Sequence, residues 1–181
     1  MGVAAVALPP EVLTPEAWAD LAEDVSGELV DGILEEEEMP DNVHESVVRW
    51  LIVAFSIWLG KRGFVFGSEA KYGVRPARGR KPDVSVFLPG GTVPPQRGLN
   101  RRPPDIVVEV VSPSLKDGRR DRIEKPEDYA AFGVRWYWIV DPGLRTLEIF
   151  ELGADGRYVS ALGATDGNAT IPGCDGLTLD L

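Results

Sequence analysis

The sequence predicts an α/β fold of the α+β kind, with a mixed central sheet flanked by helices. Three observations carry this. Ile106 to Val111 is an almost unbroken Val and Ile run around one carboxylate, the composition of a central strand buried on both faces. Asn42 to Leu59 is apolar at helical spacing and long enough for a helix that spans the domain. The elements come in the order helix, hairpin, long helix, strands, helix, strand, which suits a sheet with helices packed on it. At 181 residues, 44% hydrophobic and 27% charged, the chain has the balance of one ordinary globular domain. A single domain over residues 1–181 is expected, with its core at about 27–152.

Each element has a local cause. Thr14-Pro15-Glu16 supplies an N-cap, a proline at the first helical position and an acid in the first turn, so a short helix should run to about Glu23. Gly27 to Leu34 has Asp31-Gly32 between two short apolar runs, the signature of a hairpin. Glu35 to Glu38 is expected to be a solvated strand end. Asp41 or Asn42 caps the long helix, and Gly60 or Gly63 ends it. The expected core stripe of that helix is Val43, Val47, Trp50, Leu51, Ala54 and Trp58. Val48, Ile52, Val53 and Ile57 make its second half apolar nearly all round, which predicts a second buried face and a homodimer.

Short strands are expected at Phe64–Phe66, Tyr72–Val74, Asp83–Phe87 and Ile106–Val111. A Pro/Gly-rich loop, Pro89 to Pro104, separates the last two. After Ser112-Pro113-Ser114 a charged stretch leads to a helix ending near Phe132-Gly133. Trp136 to Val140 is the next strand, closed by Asp141-Pro142-Gly143, and Leu147–Leu152 with Tyr158–Ala161 forms a terminal meander.

Composition excludes several classes. The apolar start, Met1 to Pro10, has no basic segment and does not resemble a signal peptide. The apolar run Trp50 to Leu59 is too short to cross a bilayer, so no membrane partner is expected and the address is cytoplasmic. A lone cysteine, Cys174, rules out an internal disulfide framework. A lone histidine, His44, rules out a multi-histidine zinc site. The net charge of −10 disfavours a polyanion partner until its distribution is considered. Residues 71–125 carry 13 bases and 6 acids, a local +7, while the remainder carries −17. These bases either face a polyanion or decorate solvated loops.

Glu109 is the most informative residue. A carboxylate inside a buried Val/Ile strand is costly unless it pairs with a cation, such as an arginine, or binds a metal. Asp83 follows Pro82 and opens a strand. Two carboxylates on neighbouring strands can share a hard divalent ion, Mg2+ or Mn2+. Lys125 precedes Pro126, which places it at or just before the start of a helix, where an ammonium can stabilise charge on a phosphoryl group. His44 and Glu45, in the first turn of the long helix, are accessory candidates, and each also suits a capping or packing role.

Pro82-Asp83-Val84-Ser85-Val86, Pro104-Asp105-Ile106-Val107-Val108-Glu109-Val110-Val111-Ser112-Pro113-Ser114, Lys125 with Tyr129, and Gly133 to Pro142 closely resemble the Uma family. So do Glu28 to Gly32 and the helix that carries His44. The family's members are restriction-endonuclease-like proteins of bacteria in the PD-(D/E)XK nuclease superfamily. The resemblance spans roughly residues 14 to 152. It implies a restriction-endonuclease-like core, with Asp83 as the motif aspartate and Glu109 as the motif acid. The usual lysine two positions after the acid is replaced by Val111, and Lys125 stands where this family carries it, in the following helix.

The function these features imply is Mg2+-dependent (or Mn2+-dependent) hydrolysis of phosphodiester bonds in DNA. Asp83 and Glu109 would bind the metal, and Asp83, Glu109 and Lys125 would form the catalytic set. The alternative is a catalytically inactive interaction module on the same fold. The isoelectric point of about 4.6 and the absence of an obvious base-reading element favour the module.

Overall fold

The computed structural model describes residues 12–22, 25–36, 40–112 and 120–181. The expected readings of Met1–Pro10, Glu23, Glu37–Glu38 and the charged stretch from Pro113 to Arg119 lie outside the described residues.

Helix α1 (Pro15–Ala19) starts as its cap predicts, with the Thr14 hydroxyl accepting from the Ala17 N–H at 3.2 Å. It stops at Ala19, earlier than expected, with Asp20 as its C-cap. Strands β1 (Glu28–Val30) and β2 (Ile33–Glu35) form the hairpin, and Asp31 (φ 51°) and Gly32 (φ 78°) take the left-handed conformations of its turn. Helix α2 (Asn42–Leu59) is capped by Asp41, whose side chain accepts from the Val43 and His44 N–H groups. Strands β3 (Phe64–Phe66), β4 (Tyr72–Arg75), β5 (Arg78–Arg80), β6 (Val84–Phe87) and β7 (Ile106–Val110) follow. A π-helical turn, Arg120–Glu124, runs directly into α3 (Lys125–Phe132), which Gly133 ends in the left-handed conformation. Strands β8 (Trp136–Asp141), β9 (Thr146–Leu152), β10 (Tyr158–Ala164), β11 (Asn168–Thr170) and β12 (Thr178–Asp180) complete the chain.

The main sheet is mixed, in the order β10-β9-β8-β7-β6-β3. Only β7 and β8 run parallel, joined through α3, while β8, β9 and β10 make the expected meander. A second sheet, β2-β1-β5-β4, carries the hairpin. Alternation along β7 divides its side chains between two cores. Ile106, Val108 and Val110 pack toward α2, whereas Val107 shares the other face with Tyr129 of α3 and with Tyr137 and Ile139 of β8.

Three sequence expectations are corrected. The buried face of α2 is His44, Val48, Leu51, Phe55 and Leu59, one residue on from most of the predicted stripe, and Val43 is exposed. An apolar helix with several plausible stripes settles its rotation only against its neighbours. Strand β5 was not expected, because Arg78-Gly79-Arg80 has no apolar residue. It pairs with β1 and β4, and the Trp18 ring packs over Gly79, where an added Cβ would come within 2.4 Å of the ring. The core also continues past residue 152. Ala169, Ile171, Cys174, Leu177 and Leu179 of the β11–β12 region join the α2-side cluster. Cys174 is free and buried, and burial pushes its thiol up to about 12.

Among the described residues, several cations of the basic segment 71–125 are neutralised by acids from elsewhere in the chain. Its cations reach acids outside the segment: Arg75, Arg78 and Arg80 to Asp128, Arg78 also to Asp31, Arg101 to Glu16, and Arg122 to Asp141 and Glu148. No helix among the described residues is long and apolar enough to cross a membrane.

Candidate active site

Asp83 immediately precedes β6, and Val84 pairs with Val108 across the antiparallel β6–β7 ladder. That register sets Asp83 beside Glu109. The Val110 N–H donates to Asp83 Oδ2 at 2.7 Å, which locks the carboxylate over the end of β7. Its side chain is 16% exposed, so it still opens to the cleft.

Glu109 is 1% exposed, and each oxygen has one donor. Lys125 Nζ lies 2.7 Å from Oε2, and the Tyr129 hydroxyl donates to Oε1 at 2.7 Å. The cation expected beside this carboxylate is therefore a lysine and not an arginine. Lys125 also lies 3.0 Å from Asp121 Oδ1, one helical turn before it. Pro126 leaves this geometry intact, because a proline in the first helical turn gives up an N–H that has no intrahelical partner.

His44 Nε2 is 3.3 Å from Asp83 Oδ2, so the accessory histidine does reach the site. Burial would lower its pKa, but Asp83, Glu45 and Asp41 outweigh burial and lift it above the usual imidazole value. Glu45 stands at the cleft edge, its Oε1 3.7 Å from His44 Nδ1, with most of its side chain in solvent.

These residues line one cleft of about 240 Å³, walled further by Ser26, Lys81, Arg120 and Asp121. Its electrostatics show a surplus of negative charge. Burial pushes Glu109 well above the carboxylate range; Lys125 pulls it down, and Asp83, Asp121 and Glu28 push it further up. Burial likewise raises Asp121 against the pull of Lys125. Burial works against the Lys125 proton, but Glu109, Glu28, Asp121 and Asp83 outweigh it and raise the ammonium well above the usual lysine value. Burial and the charge of Glu109 also keep the Tyr129 phenol neutral, so it remains a donor.

Behind the cleft lies a fully buried charge network. Glu28 accepts from Arg80 Nη1 at 2.6 Å and from the Lys81 N–H at 2.8 Å. The other side of the Arg80 guanidinium grips Asp128 Oδ2 at 2.9 and 2.7 Å, which ties α3 to β1 and β5 one turn beyond Lys125.

The five residues predicted from sequence thus come together around one cleft. Sequence reasoning missed Asp121 and the role of Arg80. The four-residue spacing of Asp121 and Lys125 was the available signal for the first. Nothing local signalled the second, since the partners of Arg80 are 48 and 52 residues away.

Among the described residues, no group of three or more His, Cys, Asp or Glu side chains converges in ligating geometry. Two hard carboxylates, Asp83 and Glu109, face the cleft, each with lone pairs beyond those already used. That suits an ion such as Mg2+, which is commonly held by one or two carboxylates with water and substrate phosphates completing its shell. The surplus negative charge around Lys125 points the same way.

The protein resembles a crystal structure described as a "putative nuclease belonging to DUF820" from Anabaena variabilis. The TM-score is 0.72 at 17% identity, covering 93% of this chain and 94% of that one. At that identity the likeness establishes the fold. No curated protein matches. A family model, Uma2, described as "Putative restriction endonuclease", matches residues 15–181, from α1 through the β11–β12 pair. The match runs through every element that builds the cleft, and the chain belongs to the Uma2 family.

Proposed function

We propose that this protein is a metal-dependent nuclease that hydrolyses phosphodiester bonds of DNA. The observation that carries the reading is the convergence of Asp83, Glu109 and Lys125 at the end of the β6–β7 pair, in an open cleft with excess negative charge. Asp83 and Glu109 would hold the ion, which when bound supplies an acidified water and neutralises phosphoryl charge. Lys125, kept protonated by its carboxylate neighbours, offers a fixed positive charge to the scissile phosphate. Tyr129 and the Val110 N–H hold the two carboxylates in place, so little reorganisation is needed when substrate arrives. DNA should be nicked or cut in Mg2+ or Mn2+ and spared in EDTA, with supercoiled, duplex and single-stranded substrates each assayed. If none of the three is cut with metal present, the reading fails and the interaction-module alternative replaces it.

The protein is also proposed to work as a homodimer through the outward face of α2. Val53 and Ile57 are 47% and 77% exposed on that helix. Large apolar side chains spaced along one face are characteristic of an association surface. Sedimentation velocity at micromolar concentration should show a dimer that Ile57→Glu dissociates; a monomeric parent would contradict the proposal.

A further inference from the structure

Helix α3 has a second flank. Its Lys125 faces the cleft, whereas its Pro126 and Ala130 wall a separate cavity of about 540 Å³ that shares no lining residue with the cleft. We propose that this cavity binds a mononucleotide, with its base against an aromatic floor and its phosphate on Arg75 and Arg157. The inference goes beyond the nuclease reading and does not depend on it.

The floor comes from the meander. Tyr137 of β8, Phe150 of β9 and Tyr158 of β10 line the cavity. Tyr137 and Phe150 are cross-strand partners, and the Tyr137 and Tyr158 rings lie 5.6 Å apart. As donors both hydroxyls are spent. Tyr137 donates to the Asp121 carbonyl at 2.6 Å, and Tyr158 donates to the Val134 carbonyl at 2.7 Å. Such a surface recognises a flat aromatic body by stacking and by area, not by hydrogen bonds.

The rim supplies the charge. Its ionisable groups besides the tyrosines are Arg75, Arg122, Arg157 and one acid, Glu127. Arg122 is spent on Asp141 and Glu148. The other two arginines are not. Asp128 serves Arg75, Arg78 and Arg80 at once. Arg78 has Asp31 as a second acid and Arg80 has Glu28, but among the described residues Arg75 has no second acid. The Arg75 side chain donates a single hydrogen bond among the described residues, from Nη2 to the Glu127 carbonyl at 2.6 Å, and its Nε is buried without one. Arg157 ends the β9–β10 turn, where its carbonyl accepts from Gly153 and its N–H donates to Asp155. That fixes its backbone, and its exposed side chain meets no acid among the described residues. Guanidinium groups with donors to spare are well matched to a phosphate. A cavity of this volume suits one small ligand, so the occupant is a single nucleotide and not a strand.

The test is a titration with deoxyadenosine monophosphate followed by proton–nitrogen correlation NMR. EDTA is present throughout, so no metal can draw the nucleotide into the cleft. The Gly156 and Ala130 amides should shift and saturate. Arg157→Gln, an exposed change in a turn held by its backbone, should weaken binding about tenfold, the scale of one charge-assisted hydrogen bond. Glu127→Gln should tighten binding by removing the acid of the rim. Inorganic phosphate, which lacks the base, should bind at least about fivefold more weakly than the nucleotide. No saturable shift at these amides, parental affinity in Arg157→Gln, or phosphate binding as tightly as the nucleotide would overturn the site. Each of these results can stand beside intact metal-dependent cleavage of DNA, so the site and the nuclease reading fail separately.

Discussion

Calorimetric titration of the parent with Mn2+ should give a binding site that Asp83→Ala removes. The structure sharpens this expectation, because Asp83, besides its contact with His44, does two things. It faces the cleft with a carboxylate, and it accepts the Val110 N–H at 2.7 Å. Asp83→Ala removes both and should also cost about 1–3 kcal/mol of stability, since the Val110 amide loses its acceptor at the end of a buried strand. Asp83→Asn separates the roles. Its amide carbonyl can still accept from Val110, so folding should be close to parental while the Mn2+ heat is lost with the charge. Glu109→Gln should lose the site as well. Undiminished Mn2+ binding in Asp83→Asn would show that the carboxylate pair is not the metal site.

Lys125→Ala should leave Mn2+ binding in place and lower the cleavage rate by roughly 10²-fold or more, the scale of removing one preorganised charge-stabilising group. It carries a structural penalty too. Lys125 is the cation of a buried cluster, 2.7 Å from Glu109 and 3.0 Å from Asp121. Breaking a buried pair by deleting one partner costs about 3–5 kcal/mol. Part of that cost falls away in this cluster, because burial and neighbouring carboxylates already push Glu109 and Asp121 toward the protonated, neutral form. The sign follows from those raised values. With Lys125 gone, the folded state favours protonated carboxyls, so the variant should be most stable at low pH and lose stability as pH rises from about 4.5, the ordinary glutamate value, through the raised folded-state values. Thermal melts over that range check the stability claim, and single-turnover cleavage below the melting temperature checks the catalytic one. A folded Lys125→Ala that cuts at the parental rate would remove the lysine from the catalytic set.

Much of this protein is written in short stretches of its sequence. The Asp31-Gly32 turn, the Thr14 and Asp41 caps, the Val/Ile run of β7 and the Gly133 stop are each set by sterics and hydrogen bonding within a few residues. Asp83, Glu109 and Lys125 were legible for a related reason. A carboxylate inside an apolar strand is too costly to stand alone, and the motifs around all three carry the family resemblance. Other features depended on groups far apart in the chain. The rotation of α2, one residue on from most of the expected stripe, was decided by the sheet and the C-terminal strand pair it packs against. Strand β5 is defined by its pairing with β1 and β4, with Trp18 packed over Gly79. The basic segment from Lys71 to Lys125 suggested a cationic face, yet its arginines reach acids as distant as Glu16, Asp31, Asp128 and Glu148. Ion pairing follows proximity in space, and a charge count along the chain contains no such distances. The sequence by itself therefore determined the local elements and the identity of the candidate site residues. Only the tertiary structure decided which charges neutralise one another and that Lys125, held by Glu109 and Asp121, points into the cleft.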